Sequence, residues 1–359
     1  MRHTDGVKGL FEVRELWSDG TTSIGTVSGS SGTFTVSGTH TFTGEGPQQV
    51  TVTVVSGTPP GETVLLTLTV DTVTQSFDLP GSAQAIASGP DGNLWVTASS
   101  LLRVTTAGDF TSVPAPAPTP GSSITFGSDG NLWMAAAGEI VRVTLSGAVT
   151  EFPLPVSSHY LYRITSGPDG NLWFTQNDSK TGAYQAVGRM TPSGVLTEFD
   201  PFAPGITPYG IIAGADGNLW LTEIRGNKLA RMKTDGTITE FPLQRPNSRP
   251  YEIISGPDGN LWITELLNNG TAALARVTTS GVVTEFPDIL PGLWGITVGP
   301  DNRIWFASGS GIGAISSAGV VERFTLPGPA RAPTWIATGA DGNVWITDAA
   351  NHQLVRFKP

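Results

Sequence analysis

The chain reads Gly167 Pro168 Asp169 Gly170 Asn171 Leu172 Trp173 near its middle, and versions of this phrase occur seven times in its 359 residues. The tryptophan of each copy marks the repeat: Trp95, Trp133, Trp173, Trp220, Trp262, Trp305 and Trp345. Successive copies are 38, 40, 47, 42, 43 and 40 residues apart. A period of about 40 residues is typical of β-propeller blades. Seven copies predict seven blades.

Each repeat is expected to fold as a small sheet of four antiparallel strands. Around Trp262 the strands are predicted at 253–256, 261–265, 274–278 and 282–286. The Asp-Gly pair between the first two is a strong hairpin signal. A sheet of this size cannot bury both faces alone, so neighbouring blades must cover it. The predicted fold class is therefore all-β, a seven-bladed propeller of four-stranded blades.

The ring is expected to close through a strand from the N-terminal side. The last repeat supplies three strands and ends in Val355 Arg356 Phe357, whereas an unassigned strand, Val73–Leu79, precedes the first phrase. We predict that this strand completes the last blade, because an open ring would leave two unpaired edges. The propeller is then expected to occupy residues 72–359.

Residues 1–71 have a different pattern. Alternating strands are predicted at 33–36, 50–54 and 64–70, separated by turns rich in Gly, Pro and Ser. The segment resembles the second half of a PKD-like or Ig-like module. A complete sandwich of that kind needs about 80–100 residues. We therefore expect a partial β-sandwich module in front of the propeller.

Composition excludes several classes of function. The formal net charge is −10 and only 14% of residues are charged, so a nucleic-acid backbone would be repelled. The chain has no cysteine, which excludes disulfides, thiol nucleophiles and Cys-ligated zinc. No run of about 18 apolar residues is present, so no membrane span is predicted. Neither nucleic acid nor a membrane is an expected partner, and any metal should be bound through oxygen.

Cellular location is indicated only by composition. The first residues lack the apolar core of a signal peptide, so no signal peptide is expected in this chain. The Ser-, Thr- and Gly-rich, Lys-poor composition is typical of bacterial surface proteins. We expect an extracellular or cell-surface protein, monomeric within a larger multidomain protein.

Charged residues that recur in the repeats are expected to belong to the scaffold. Four blades place a glutamate nine residues after an arginine, as in Arg142 and Glu151. A four-residue turn would set the two opposite each other on adjacent strands. The phrase aspartates are expected to begin the turn, with the next residue at positive φ and the tryptophan packed between blades. Asn302 replaces the glycine in the sixth copy, and asparagine tolerates positive φ.

Functional residues are expected where the repeats differ. Eleven residues before each tryptophan, at the start of the inner strand, are Gln84, Ser122, Tyr162, Tyr209, Tyr251, Trp294 and Thr334. Three residues after it, at the end of the second strand, are Ala98, Ala136, Gln176, Glu223, Glu265, Ser308 and Asp348. Antiparallel pairing places both sets on one rim of the central channel.

The rim is richest in aromatic and acidic residues in blades 3 to 7. The predicted ligand-binding residues are Tyr162, Tyr209, Glu223, Tyr251, Glu265, Trp294 and Asp348. Arg163, Glu252 and Trp335 each follow a rim position and are further candidates. A concave surface with aromatic faces and a few polar groups is typical of a binding site. The alternative is that these aromatic rings only pack between loops.

The phrase Gly256–Glu265 and the outer-strand stretch Thr150–Pro155 resemble the virginiamycin B lyase, or streptogramin lyase, family over about residues 72–359. NHL-repeat propellers share similar turns. The resemblance implies opening of a cyclic depsipeptide by elimination, with a rim histidine as base and Mg²⁺ held by rim carboxylates.

The catalytic positions of that family are mostly changed in this chain. The two histidine positions correspond to Trp294 and Thr334, and the two carboxylate positions to Asp348 and Ala332. None of the four histidines, His3, His40, His159 and His352, stands at a matching position. No catalytic residue is therefore assigned, no cofactor is assigned, and Mg²⁺ is the metal that the resemblance implies.

Three functions stay open at this point. The first is a non-catalytic propeller that binds an oligosaccharide, a peptide or another small ligand at the channel mouth. The second is a Mg²⁺-dependent lyase or hydrolase with another base, whose metal ligands would be Glu223, Glu265 and Asp348 converging within about 5 Å. The third is a structural or docking ring without a small ligand. The aromatic bias of the rim favours the first.

Overall fold

The computed structural model describes residues 12–17, 22–30, 33–37, 48–55, 64–70, 74–114, 123–136, 138–155, 159–178, 185–203, 205–267, 270–286, 292–309, 311–327 and 331–359. Their regular elements are β-strands only, as the sequence predicts. Within these ranges no helix is long and apolar enough to span a membrane. The chain divides into two compact units, Met1–Gln75 and Ser76–Pro359.

The first unit contains one antiparallel sheet. Its strands are β1 (Glu12–Trp17), β2 (Thr22–Ser30), β3 (Thr33–Ser37), β4 (Gln48–Val55) and β5 (Val64–Val70). They lie in the order β3-β2-β1-β4-β5, and every neighbouring pair is antiparallel. The strands predicted at 33–36, 50–54 and 64–70 fall within β3, β4 and β5. The likeness to PKD- or Ig-like modules stays a prediction.

The second unit is a ring of seven four-stranded sheets. The strand β6 (Thr74–Asp78) precedes the first complete blade. Blade 1 contains β7 (Ala85–Ser88), β8 (Leu94–Thr97), β9 (Leu101–Val104) and β10 (Phe110–Val113). Blade 2 contains β11 (Ser123–Phe126), β12 (Leu132–Ala136), β13 (Glu139–Val143) and β14 (Val149–Pro153). Blade 3 contains β15 (His159–Ser166), β16 (Leu172–Asp178), β17 (Gln185–Met190) and β18 (Leu196–Phe199).

The remaining blades continue the pattern. Blade 4 contains β19 (Pro208–Ala213), β20 (Leu219–Glu223), β21 (Lys228–Met232) and β22 (Ile238–Pro242). Blade 5 contains β23 (Pro250–Ser255), β24 (Leu261–Leu266), β25 (Ala272–Val277) and β26 (Val283–Phe286). Blade 6 contains β27 (Ile296–Val298), β28 (Ile304–Ser308), β29 (Gly311–Ile315) and β30 (Val321–Thr325). Blade 7 contains β31 (Pro333–Thr338), β32 (Val344–Asp348), β33 (Gln353–Phe357) and the early strand β6.

The repeated phrase is a turn organised by its aspartate. In blade 3, Oδ1 of Asp169 accepts the backbone N–H of Asn171 at 3.2 Å and the indole N–H of Trp173 at 2.9 Å. The same pair of bonds occurs in the other six copies. The residue after the aspartate has positive φ, 78° in Gly170 and 60° in Asn302. The phrase is scaffold, as predicted.

The phrase tryptophans form the interfaces between blades. Trp133 is fully buried and stacks on Phe152 of its outer strand, with ring centroids 5.5 Å apart. Phe152 in turn packs on the next blade, where a Cβ at Gly194 would lie 2.3 Å from its ring. Arg142 lies 5.8 Å from both ring centroids and donates to the carbonyl of Pro192 in that blade at 3.0 Å. Ring, cation and glycine together join adjacent blades.

The predicted pairing of Arg142 with Glu151 is wrong. Arg142 lies opposite Thr150, and Glu151 lies opposite Val141 on the other face of the sheet. The connecting turn closes over three residues with Gly147 at positive φ, one fewer than the prediction assumed. Blades 3, 4 and 5 show the same offset. Each of the four arginines instead donates to a backbone carbonyl of the next blade.

The prediction that an N-terminal strand closes the ring is confirmed. Strand β6 lies beside β33 as the outer strand of blade 7. The N–H of Leu79 donates to the carbonyl of His352 at 2.8 Å, and Nε2 of Gln353 donates to Asp78 at 2.8 Å. Two chain segments that are distant in sequence therefore form one blade, which removes two free sheet edges.

Candidate functional site

Four inner strands contain a β-bulge at the predicted rim. Strands β15, β19, β23 and β31 each carry one extra residue relative to the partner strand. The irregular segments contain Tyr162 with Arg163, Tyr209 with Gly210, Tyr251 with Glu252, and Thr334 with Trp335. Because a bulge breaks the regular alternation of side chains, it can turn two successive residues towards the channel and its mouth.

A buried threonine two residues after the tryptophan holds each bulge. Oγ1 of Thr222 accepts the N–H of Gly210 at 2.8 Å and donates to the carbonyl of Tyr251, in blade 5, at 2.7 Å. The equivalent acceptors in blades 3, 5 and 7 are Thr175, Thr264 and Thr347. Blade 1 has Thr97 there and keeps a regular register. Threonine therefore supports a bulge without being sufficient for one.

Four tyrosine rings form a continuous row across blades 3 to 5, here called the tyrosine arc. It consists of Tyr160, Tyr162, Tyr209 and Tyr251, with successive ring centroids 5.2, 5.0 and 4.8 Å apart. Tyr160 is 41% exposed and the other three are half-buried. Burial raises the pKa of Tyr162 and Tyr209 above its ordinary value, so both hydroxyls are uncharged at neutral pH. Three predicted residues are thus in contact, with the ring of Tyr209 between those of Tyr162 and Tyr251.

Tyr160 belongs to this group although the repeat comparison does not select it. It lies two residues before Tyr162 on β15, where side chains two apart share a face of the strand. That strand starts earlier than the other inner strands, which extends the row of rings outward. The period of two along an inner strand is the sequence signal that could have found Tyr160.

An ion pair joins blades 3 and 5 beside the tyrosine arc. Arg163 of blade 3 is buried and bonds to Oε1 of Glu252 of blade 5 through Nε, at 2.8 Å, and through Nη2. Nη2 also donates to the hydroxyl of Tyr209 at 2.7 Å, and Nη1 to the carbonyl of Tyr162 at 2.7 Å. Burial opposes the charge on Arg163, but Glu252 and Tyr209 raise its pKa above the ordinary value. The guanidinium is permanently charged and neutralised in place.

Aromatic faces complete the enclosure of Arg163. Its guanidinium carbon lies 4.5 Å from the ring centroid of Tyr209 and 4.5 Å from that of Trp335. Blade 4 contributes Gly210 at the position equivalent to Arg163 and Glu252, so no side chain of that position separates them. A cation held between two ring faces and bonded to a carboxylate is a rigid, preorganised element.

A cavity of about 200 Å³ lies in the central channel next to this ion pair. All seven blades contribute to its wall, mostly through isoleucines of the inner strands. Its polar lining consists of Arg163, Glu252, Ser123, Thr125 and Thr165. The channel therefore combines apolar walls with a few convergent polar groups, the usual composition of a ligand site.

The other predicted rim positions are less closely connected to the tyrosine arc. The side chain of Trp294 is 44% exposed. The backbone N–H of Trp294 donates to the carbonyl of Ala307 at 3.1 Å. Among the described residues no ring contact joins it to a tyrosine. The hydroxyl of Thr334 is hydrogen-bonded to that of Thr347 at 2.8 Å. Ser122 lies outside the described residues.

The three predicted acids do not line the open mouth. The side chains of Glu223, Glu265 and Asp348 are all fully buried. Each lies two residues after an apolar residue that packs on the preceding blade, as Leu221 packs with Trp173, and side chains two apart on a strand share a face. The acids therefore lie between blades. Across the described part of the chain no three acidic or histidine side chains are close enough to hold a metal.

The pKa values of these buried carboxyls are shifted in different directions. Burial raises the pKa of Glu223 to about 7, assisted by nearby Glu240 and opposed by Lys228. Burial likewise raises the pKa of Glu265 to about 7. Asp348 is also desolvated, but hydrogen bonds from Ala332, Asn351 and Arg331 hold its pKa below the ordinary value. The same repeat position thus holds two carboxyls that resist ionisation and one that is stably charged.

Asp348 is not arranged to hold Mg²⁺ with the family's other positions. Its Oδ1 accepts the N–H groups of Ala332 and Ala350, and its Oδ2 accepts Arg331 at 2.9 Å and Asn351 at 2.8 Å. Both oxygens are occupied by donors, one of them a cation, and Ala332 has no carboxylate. The residues present do not fit the magnesium centre that the resemblance implies.

Comparisons with known proteins agree on the type of propeller. A streptogramin B lyase structure is 28% identical, with a TM-score of 0.69 over 79% of this chain and 96% of that one. Selenomethionine-substituted virginiamycin B lyase from Staphylococcus aureus is 29% identical, with a TM-score of 0.70 over 80% and 99%. A catalytically inactive variant of the Staphylococcus aureus enzyme, with quinupristin, gives the same values. Among curated proteins no sequence matches this chain.

The family model of virginiamycin B lyases matches residues 58–308, which is more than half of the chain. The match covers the first five blades and the first two strands of the sixth, β27 and β28. With the seven-bladed ring described above, it shows that the chain belongs to the virginiamycin B lyase family.

Proposed function

We propose that the propeller is a ligand-binding module that holds an oligosaccharide or a peptide against the tyrosine arc at the channel mouth. The observation that supports this is the contact of four tyrosine rings, with centroids 4.8–5.2 Å apart, beside a cavity on the channel axis. Aromatic faces pack against sugar rings or apolar side chains, and phenol hydroxyls provide hydrogen bonds. This combination serves binding without a reacting group.

Contacts within the protein fix the tyrosine arc in the absence of a ligand. Arg163 fixes Tyr209 through a hydrogen bond and a ring contact, and Thr222 fixes the backbone of Tyr251. Preorganisation of this kind reduces the entropy lost on binding. It also favours a ligand site over rings that merely fill space between loops.

A Mg²⁺-dependent lyase that opens cyclic depsipeptides is the second candidate, and family membership favours it. The crystal structure of the catalytically inactive Staphylococcus aureus relative contains quinupristin. Against it stand Trp294 and Thr334 at the two histidine positions and the occupied oxygens of Asp348. Incubation with quinupristin and Mg²⁺ tests it: we expect no ring opening by mass spectrometry, and Mg²⁺-dependent opening would establish the lyase.

The surroundings of the module are part of the proposal. We infer an extracellular or cell-surface protein, in which residues 1–71 form a partial PKD- or Ig-like module and residues 72–359 the propeller, within a longer multidomain chain. Composition and the predicted strands of residues 1–71 support this. Detection of the native protein in the surface fraction of its cells would test the location.

The binding proposal is tested by thermal shift with neutral and charged oligosaccharides, peptides and quinupristin. A ligand at about 100 times its Kd stabilises the folded state by about 2.7 kcal/mol. We expect a shift with wild type that Tyr251→Ala together with Trp294→Ala abolishes. Phe110→Ala is the control, because Phe110 is an exposed ring on the outer strand of blade 1. A shift that survives the double substitution contradicts binding at the rim.

A further inference from the structure

Glu252 has one carboxylate oxygen that the protein does not use. Its Oε1 accepts both bonds from Arg163, whereas Oε2 accepts no hydrogen bond from any described residue. The side chain is 13% exposed and lines the channel cavity. Since no described residue donates to Oε2, its hydrogen bonds must come from water or from a ligand in the cavity. Oε2 is therefore an acceptor that is open to a group in the cavity.

The charge around Glu252 restricts what that group can be. Arg163 already neutralises the carboxylate, so an entering cation finds no net negative charge to balance. An anion is disfavoured by the exposed Oε2. The guanidinium cannot turn to an anion easily, since it is bonded to Tyr162 and Tyr209 and enclosed by Trp335. A neutral hydrogen-bond donor meets neither obstacle.

The size and the walls of the cavity further restrict which group can bind there. Its volume of about 200 Å³ is below the roughly 300–1,000 Å³ of sites for drug-sized ligands, so one end group can enter rather than an extended chain. The walls combine isoleucines with the hydroxyl-bearing Ser123, Thr125 and Thr165. A sugar ring has a matching surface, because it presents apolar C–H faces and a rim of hydroxyls that both donate and accept.

We propose that the channel binds the terminal unit of a neutral oligosaccharide, with a sugar hydroxyl donating to Oε2 of Glu252. This inference rests on the proposed binding function and specifies its ligand class. The tyrosine arc carries the following sugar units, and Trp335 lines the cavity beside Arg163. A peptide is the disfavoured ligand, because its free ends are charged and the neutralised pair complements neither charge.

Isothermal titration calorimetry on the full chain tests the assignment. The probes are maltotetraose, cellotetraose and chitotetraose as neutral sugars, tetragalacturonate as an anion, the glucosamine tetramer as a cation, and tetra-alanine with free or blocked ends. We expect at least one neutral tetrasaccharide to bind more tightly than every charged probe and both peptides.

Glu252→Gln identifies the acceptor. Arg163 should retain the amide oxygen, so the amide NH₂ would face the cavity and the sugar hydroxyl would lose its bond to a carboxylate oxygen, the stronger kind of acceptor. We expect affinity for the neutral sugar to fall by about tenfold or more. Glu285→Gln is the matched control: Glu285 is also ion-paired, to Arg245, its side chain is 15% exposed, and it lies on the outer strand of the same blade. The affinity of Glu285→Gln for the neutral sugar should stay within about twofold of the wild-type value.

A second measurement uses the wild-type chain and does not depend on how the variant folds. The binding tetrasaccharide is compared with versions fully O-methylated on the first or on the last unit, which removes the donors of that unit. One of the two should bind at least about tenfold more weakly. If neither methylated sugar loses affinity, the inserted terminal unit is refuted.

The outcomes separate this inference from the proposed function. Binding that Tyr251→Ala abolishes and Glu252→Gln leaves intact overturns the role of Glu252 and keeps the arc. A peptide or a charged sugar that binds best overturns the ligand class and also keeps the arc. Neutral-sugar binding that Tyr251→Ala does not affect contradicts the arc, and the absence of any binding contradicts both proposals.

Discussion

Phe77 of the closing strand stacks on Trp345 of the last blade, with ring centroids 5.4 Å apart and planes at 23°. Arg356 lies over both rings, at 5.9 and 5.7 Å, and donates to the carbonyl of Thr106 in blade 1 at 2.9 Å. A Cβ at Gly108 would lie 1.9 Å from the ring of Phe77. The junction of the last blade with the first therefore repeats the interfaces between the other blades.

Phe77→Ala should weaken the ring at this junction. The change removes the ring between Trp345 and the turn at Gly108, and leaves Arg356 over one aromatic face only. We expect a loss of about 3 kcal/mol in the free energy of unfolding, measured by denaturant titration. Phe110→Ala, at an exposed ring of blade 1, should cost less than about 1 kcal/mol. Equal losses from the two changes would refute a special role of Phe77 in closure.

Two glycines of the same phrase should respond differently to alanine. Gly259 has φ of 72° with no atom within 4 Å of an added Cβ, so Gly259→Ala should cost about 1–2 kcal/mol from the backbone alone. Gly259→Asn should cost less, because Asn302 occupies this position in blade 6. At Gly256 the Cβ would lie 2.5 Å from the ring of Trp262, so Gly256→Ala should cost more. Unfolding experiments on the three variants will rank them.

Glu223 should make stability depend on pH in an unusual direction. Its folded pKa is about 7, above the ordinary 4.5, so the folded protein keeps a proton that the unfolded chain releases. Stability therefore falls as the pH rises from about 4.5 to 7 and is constant above. The free energy of unfolding of Glu223→Gln minus that of wild type should therefore increase between pH 4 and pH 8, by on the order of 2 kcal/mol. A difference independent of pH would contradict the raised pKa.

Asp348, at the equivalent position of blade 7, should show the opposite sign. Its pKa lies below 3.8 because its donors, among them Arg331, favour the charged form. Its contribution is complete above about pH 4 and is lost as the pH falls below that. Asp348→Asn should cost roughly 3 kcal/mol at pH 7, since it leaves the buried Arg331 without its counter-ion. Equilibrium unfolding in a series of buffers from pH 7 downward will show whether the cost decreases as the pH falls through the lowered pKa of Asp348.

Thr222→Val should disturb the tyrosine arc through the backbone. The hydroxyl accepts the N–H of Gly210 and donates to the carbonyl of Tyr251, so its removal leaves buried polar groups unpaired at a cost of about 1–3 kcal/mol. Thr97→Val is the matched control, because the hydroxyl of Thr97 is buried without a partner among the described residues. That change should be neutral or stabilising. Similar losses for both would show that the bulge does not need its threonine.

Much of the fold could be predicted because its signals are local. The Asp-Gly turn, the tryptophan after it and the period of about 40 residues each depend on residues close in sequence. The closing strand β6 was predictable because it belonged to no repeat, whereas the last repeat supplied only three of its four strands. The Arg142 pairing failed for an equally local reason: the length of one turn shifted the register by one residue.

The candidate site was only partly predictable. Tyr162, Tyr209 and Tyr251 were identified by their shared position, and the structure brings their rings together. Glu223 and Glu265 were identified by the same reasoning and are buried between blades instead. The sequence predicted the position along the strand correctly for both the tyrosines and the glutamates. It did not predict the direction of the glutamate side chains, because the bulge changes the alternation of side chains on the inner strand and not on the neighbouring strand that carries the glutamates.

The sequence by itself determined the number of blades, the turn scaffold and the closure of the ring, since short-range hydrogen bonding and a repeated apolar pattern encode them. Only the tertiary structure decided that Arg163 of blade 3 pairs with Glu252 of blade 5 and that Glu252 lines the channel cavity. Those relations depend on how curved, bulged strands from different blades converge on a common axis. No periodicity within one repeat contains that information.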